Sequence, residues 1–291
     1  MSDTSRLHDK MQPLGKIDVL ITVGERDINR LFRLSLNSCI KNLDLLNDIF
    51  IVTNSKVQVI ECLKTIDLKC RNITVFQDSE VLPPDLNSLP GWFRQQLIKL
   101  HADQIAKTRL IACLGADTVI LKKVQPQDIV FEGRPIHYYN RDPQWPGFLQ
   151  YERGRVANVA KILCVKPVRS LPFGDFIMDF SVLSAEYLIK LRKYLSQLYG
   201  VNPFIKIIPS GYPITPLMKK SFGEWTLYSV FILDVLNLNL AVRNSNSQFL
   251  AQVQNEAGLR KYGFNSKIVH FVKKTFDLDY IKSRLAEFEL C

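Results

Sequence analysis

Apolar positions along the first half of the chain change period repeatedly, from continuous short runs to a helical repeat and back. Ile17 to Val23 is an unbroken apolar run of strand length. Ile28, Leu31, Phe32, Ser35, Leu36, Cys39, Ile40 and Leu43 then recur at helical spacing, with Asp27 placed to cap them. The pattern predicts further strands at Ile49–Thr53, Ile73–Phe76 and Arg109–Leu114, and helices at Val57–Leu63 and Trp92–Lys107. A Pro-rich loop, Val81–Gly91, precedes the second of these helices. Strands alternating with helices through short connections imply a mostly parallel sheet covered on both faces. Ligands then bind beyond the carboxyl ends of its strands.

The second half is less regular. It predicts strands at Ile136–Tyr139, Phe176–Leu183 and Ile268–Val272. Helices are predicted at Ala185–Leu198, Trp225–Leu236 and Leu278–Phe288, and loops at Asn140–Tyr151 and Pro203–Lys220. No repeat, low-complexity tract or linker divides the chain. The expected organisation is a polar lead over 1–14 followed by one α/β domain over 15–291, with 15–125 as a nucleotide-binding half and 126–291 as an acceptor-binding half.

Composition narrows the classes. Of 291 residues, 47% are hydrophobic and 23% charged, a balance that supports a folded core. No apolar run reaches the roughly 20 residues that span a bilayer, and Met1–Pro13 has no apolar core of a signal peptide. The six cysteines show no ligand spacing, so a reducing cytoplasm is expected, with neither a disulfide framework nor a zinc site. A net charge of +10 favours anionic partners, but the basic residues are dispersed in pairs such as Lys122-Lys123 and Lys273-Lys274. No recognition helix, RNP motif or basic stripe accompanies that charge, so no nucleic-acid partner is expected.

The common phosphate motifs are missing. A lone Gly24 follows the first strand in place of GxGxxG, and neither GxxxxGK[ST] nor GxSxG occurs. The informative stretch is Leu110-Ile111-Ala112-Cys113-Leu114-Gly115-Ala116-Asp117-Thr118-Val119-Ile120. An apolar strand delivers one acid, Asp117, and a second apolar run follows at once. An acid in that position is costly unless it has partners or a task.

A resemblance rests on several segments in order. Gly91-Trp92-Phe93-Arg94-Gln95-Gln96-Leu97-Ile98-Lys99-Leu100 is similar to the Gly-Trp-x-x-Gln-Gln-x-x-Lys-Leu helix of a GT-A-like glycosyltransferase family associated with bacterial surface-polysaccharide synthesis. Asp18–Val23 with Arg26-Asp27 resembles its opening strand, and Met178–Leu183 and Phe222–Tyr228 resemble two later segments. The resemblance implies transfer of a sugar from a nucleotide-diphosphate donor to a saccharide or lipid-linked saccharide, with possible contact at the inner face of a membrane. It also implies Mn²⁺ or Mg²⁺ at an Asp-x-Asp motif, here reduced to Gly115-Ala116-Asp117. Loss of catalysis, leaving a glycan- or nucleotide-binding scaffold, is the rival expectation.

Site roles follow from that resemblance. Thr22, Val23, Thr53 and Asn54 are expected at the base or ribose, and Ala116 beside the donor. Arg94, Lys99 and Lys273 offer positive charge to the diphosphate. Gln95 or Gln96 would hydrogen-bond ribose or sugar. Asp117 and His270 are the metal candidates, and Glu224, with Asp179 in reserve, is the carboxylate base for the acceptor hydroxyl. Tyr138, Tyr139, Trp145 and Tyr151 are candidates for stacking on a sugar ring.

Overall fold

The computed structural model describes residues 15–66, 72–139, 148–173, 176, 179–208, 223–244, 249–253, 259–260, 263–271, 278–288 and 290. The predicted lead over 1–14 and Lys273 lie outside them, as do Trp145 and the side chain of Tyr151.

Five strands form the central sheet: β1 (Ile17–Val23), β2 (Leu46–Thr53), β3 (Ile73–Gln77), β4 (Leu110–Gly115) and β8 (Phe180–Ser184). Their order is β3-β2-β1-β4-β8, parallel except for β8, which runs antiparallel to β4. All seven residues of β1 are buried because both faces of the sheet are covered. Alternation sorts the strands cleanly. Leu20, Phe50, Val52, Ile111 and Cys113 pack on one face under α3 (Gly91–Leu100), α4 (Phe148–Ile162), α5 (Ala185–Tyr199) and α6 (Glu224–Val230). Val19, Ile21, Ile49, Ile51, Ala112 and Leu114 pack on the other, with α1 (Arg33–Asn42) and α2 (Lys56–Leu63).

Two smaller sheets flank this one. Strand β5 (Thr118–Ile120) leaves the central sheet directly after β4 and pairs antiparallel with β11 (Ile268–Phe271), which pairs parallel with β10 (Leu250–Val253). Helix α7 (Leu278–Leu285) packs on this sheet through Ile281 and Leu285. The third sheet has the order β6-β7-β9, from Val130–Phe131, Arg134–Tyr139 and Ala241–Asn244. Its β6–β7 hairpin turns through Glu132 and Gly133 at φ of 50° and 73°, the two positive values of a tight primed turn. Among the described residues, no helix is long and apolar enough to cross a membrane.

The amino edge of the sheet is pinned by Asp18. Its buried carboxylate accepts from Asn47 Nδ2 (2.8 Å) and from the backbone N–H groups of Asp48 (3.3 Å), Lys107 (2.5 Å) and Thr108 (2.8 Å). An acid inside an apolar run is thereby satisfied on all sides.

Several predicted boundaries change. The first helical repeat begins with a π-type turn, Ile28–Phe32, before α1. Asp27 makes no capping bond, and the N–H of Glu25 is taken by Asn54 Oδ1 at 3.2 Å from the neighbouring strand end. The predicted helix Trp92–Lys107 stops at Leu100, followed by a short 3₁₀ turn over Ala102–Gln104. The predicted helix Trp225–Leu236 is α6 followed by a π-type turn, Phe231–Val235.

Two buried histidines make the fold sensitive to acid. Burial holds His101 at a pKa of about 4, outweighing its bond to the Leu97 carbonyl, and burial alone holds His137 at about 4. The unfolded chain takes up their protons near pH 6.5 and the folded chain does not, so stability falls between about pH 6.5 and 4. Each contributes up to about 3 kcal/mol to that loss. His137 stacks on Tyr228 at 5.4 Å between centroids, a contact that Phe preserves. Thermal melts between pH 7 and 4.5 should therefore show a shallower acid limb for His137→Phe than for wild type; parallel limbs would exclude His137 as a source.

Candidate functional site

The carboxyl ends of β1, β2 and β4 meet at one edge of the sheet. Val23 and Gly24, Thr53 and Asn54, and Gly115 to Asp117 all leave from there, with Thr22 in register with Gly115. Strand order diverges on either side of β1, which is where parallel sheets open a crevice. A cleft of about 80 Å³ lies there, lined among others by Val23, Thr53, Asn54, Asp78, Arg94 and Gln95. Arg94 is held at 3.1 Å from Asp78 Oδ2. Thr22 and Ala116 are buried, at 4% exposure each, in the strand and turn behind this edge.

A chain of charged groups stands at the end of β4. The antiparallel β8 brings Asp179 to the turn, where its carbonyl accepts from the Gly115 N–H at 3.3 Å and the Thr118 hydroxyl at 3.4 Å. Pairing of β11 with β5 brings His270 opposite Thr118, and the Phe271 N–H donates to the Asp117 carbonyl at 3.1 Å. The imidazole of His270 then lies between two carboxylates. Nδ1 is 2.7 Å from Asp179 Oδ2, an ion-pair contact rather than an aligned hydrogen bond, and Nε2 is 3.6 Å from Asp117 Oδ2. Burial opposes charge on the ring, but Asp179 and Asp117 outweigh it and raise its pKa to about 10. Burial likewise opposes ionisation of Asp179, and His270 followed by Lys99 hold it at about 2.

Lys99 continues the chain. It is buried and its Nζ sits 2.7 Å from Glu224 Oε1, with 8% and 7% of the two side chains exposed. The ammonium also lies 4.8 Å from the centre of the Trp225 ring. Burial opposes its charge, and Glu224 and then Asp179 raise its pKa. Lys99, expected at a diphosphate, and Glu224, expected at an acceptor, are joined by the fold across 125 residues as a partnered pair.

The Asp-x-Asp remnant has a geometric counterpart. A Cβ at Gly115 would lie 2.7 Å from Asp117 Oδ1, so the Asp117 side chain occupies room that any larger residue at 115 would contest. Asp117 Oδ2 and His270 Nε2 can supply two ligands to a hard divalent cation, with Asp179 orienting the imidazole through its other nitrogen. Among the described residues, no group of three or more His, Cys, Asp or Glu is arranged to hold a metal ion. Diphosphate and water oxygens would have to complete the shell.

The aromatic expectation changes. Tyr138 stacks on Phe249 at 4.1 Å and donates its hydroxyl to the Asp128 carbonyl, and Tyr139 packs on Phe173. Both rings are core members, Tyr138 in the cluster on one side of β7 and Tyr139 in the cluster on the other. A larger cavity of about 490 Å³ lies at the other end of α3, lined by Pro83, Leu86, His101, Arg192 and Phe204 among others. Its cation is already taken, since Arg192 binds both oxygens of Asp103 at 2.5 and 2.6 Å.

The arrangement of sheet, β4 turn and flanking strands defines a GT-A-like fold. The chain is similar to the solved structure of the galactosyltransferase LgtC in complex with donor and acceptor sugar analogs, with a TM-score of 0.53, 10% identity, and 94% of this chain and 95% of that one covered. It belongs to a family of unknown function, DUF6492, whose profile matches residues 17–260. No curated protein matches it.

Breaking the buried pair tests its energetics. Lys99→Met leaves Glu224 buried without a counter-ion and should cost about 3–5 kcal/mol in a denaturant titration. Adding Glu224→Gln to that variant should recover much of the loss, whereas additive losses would show that the two side chains do not act as a pair.

Proposed function

We propose that this protein is a glycosyltransferase that moves a sugar from a nucleotide-diphosphate donor to a saccharide or lipid-linked saccharide acceptor. The observation that carries the reading is the Asp117–His270–Asp179 cluster at the carboxyl end of β4, on the same strand edge as the cleft. The GT-A-like fold supports it. The motif resemblance supports a role in bacterial surface-polysaccharide synthesis, with the enzyme working in the cytoplasm at the inner face of a membrane.

In this reading Val23, Thr53 and Asn54 hold the base and ribose, and Arg94 and Gln95 meet the diphosphate or ribose from α3. Asp117 and His270 hold Mn²⁺ or Mg²⁺, which when bound neutralises charge on the departing diphosphate. Asp179 fixes the His270 ring. Glu224 accepts the proton of the acceptor hydroxyl; Lys99 holds its Oε1, leaving Oε2 for that task. Asp179 is the reserve base, and Lys273 the further cation expected at the diphosphate.

A second reading, a binding scaffold without turnover, is favoured by one observation: Gly115 stands where the resemblance calls for the first acid. The two readings separate in a donor screen. Purified protein with UDP-, GDP-, CMP- and dTDP-sugars, in Mn²⁺ or EDTA, should release nucleotide from one donor and lose that activity in EDTA. Asp117→Asn should lower release about a hundredfold. Gly115→Asp, once Asp117 turns aside, should strengthen metal dependence. A thermal shift without release points to a missing acceptor or to a nucleotide-binding scaffold, and neither release nor shift with any donor would sink the transferase reading and leave the scaffold ahead.

A further inference from the structure

Helix α3 ends at a histidine whose two ring nitrogens are used differently. The backbone N–H of His101 donates to the Ile98 carbonyl at 3.0 Å, which leaves the Leu97 carbonyl to the imidazole, 2.8 Å from Nδ1. A carbonyl only accepts, so Nδ1 carries the proton and Nε2 keeps its lone pair. Burial, which holds the ring at a pKa of about 4, keeps it in that neutral form. The residue is 4% exposed, yet no described residue donates to Nε2. The corresponding nitrogen of His137 is sealed in the core, whereas that of His101 opens on the cavity of about 490 Å³ at this end of α3.

The rest of the cavity restricts what can donate to that nitrogen. Its inner wall is apolar: Leu86 and Phe204 are buried, and the Phe204 ring stands 5.5 Å from the imidazole. Val201 extends the apolar surface to the mouth, where it is 87% exposed. The polar lining is engaged elsewhere. Arg192 binds Asp103 and the Leu100 carbonyl, Asn202 donates to Asp85, and the Gly200 N–H donates to the Ser196 carbonyl. Among the described lining residues, no cation is left to attract an anion. A sugar would leave most of its hydroxyls unpaired against the apolar wall. The volume lies within the roughly 300–1,000 Å³ of small-molecule sites.

We propose that this cavity is a second binding site, apart from the nucleotide cleft, for a small neutral aromatic molecule whose one hydroxyl or N–H donates to His101 Nε2. The ring of such a ligand packs on Phe204 and Leu86, and its donor meets the one face of the imidazole that α3 does not use. The inference is independent of the glycosyltransferase reading.

Phenol and its methyl ether anisole are the probes, since they share a ring and differ in the donor. Both are titrated into the intact chain and followed by saturation-transfer NMR. Phenol should bind wild type about tenfold more tightly than anisole. Ser196→Trp sets a ring in the mouth of the cavity from an exposed position on α5, and should abolish binding of both with little change in melting temperature. His101→Phe keeps a ring against Phe204 and should bind the two probes equally. Equal affinities in wild type, phenol binding that survives Ser196→Trp, a phenol preference retained in His101→Phe, or no binding of phenol at millimolar concentration would each overturn the inference. A phenol preference in wild type that Ser196→Trp removes supports it even where His101→Phe does not fold.

Discussion

The site depends on one constraint: five charged groups of alternating sign, Asp117, His270, Asp179, Lys99 and Glu224, are drawn together from five different parts of the chain. No two neighbours in the series are close in sequence, and each is held by an element whose own formation is independent of charge. The β4–β5 turn carries Asp117, β11 carries His270, the residue just before β8 is Asp179, and α3 and α6 carry the last two. Burial opposes the charged form of His270, Asp179 and Lys99, and for each the opposite charge beside it overcomes that opposition. Removing any member leaves its neighbour exposed to the same cost.

Stability does not account for such an arrangement. A buried pair commonly contributes no more than well-packed apolar residues of the same volume would. The fold has abundant apolar packing on both faces of the sheet, so nothing requires Lys99 and Glu224 to secure α3 against α6. What the charges provide is a fixed electrostatic environment at the one edge where the strand ends converge. Groups already oriented and desolvated need not reorganise when a charged ligand arrives. The Asp18 carboxylate at the opposite edge shows the contrast: it spends its hydrogen-bonding capacity on three backbone N–H groups and the Asn47 amide.

The sheet was legible because its strands are continuous apolar runs, a pattern fixed by burial of both faces. Asp117 was legible for the converse reason, as an acid between two such runs. The cleft residues Val23, Thr53, Asn54, Arg94 and Gln95 followed from strand ends and from the Gly91–Leu100 segment, and the fold gathers them around one space. The pairing of Lys99 with Glu224 was not legible: each residue has a reasonable local role, and only the packing of α3 on α6 commits them to each other. The strands Ala241–Asn244 and Leu250–Val253 were also missed, since four-residue strands leave too few positions to show a period. Helix α4 was partly hidden in a segment read as loop, where Phe148 to Tyr151 is aromatic and polar without a clear stripe. The two π-type turns carry ordinary helical composition, so nothing in the residues marks them. Tyr138 and Tyr139 were misassigned because aromatic type alone cannot distinguish a sugar platform from a core ring; their packing on Phe249 and Phe173 decides it.

Gly115 draws these points together. Taken as sequence, it is a missing acid. In the structure it is also the space into which Asp117 folds, since a side chain there would stand 2.7 Å from Asp117 Oδ1. Loss of one carboxylate and the posture of the other are therefore one feature. With a single acid at the turn, the positive charge beside it is the His270 imidazolium, held between Asp179 and Asp117. A divalent cation entering there would have to displace that proton, because an imidazolium has no lone pair to offer. In the proposed reading, metal and proton would be alternative occupants of one position, and the Asp179 carboxylate would serve both, by stabilising the charged ring in one state and orienting the neutral ring in the other.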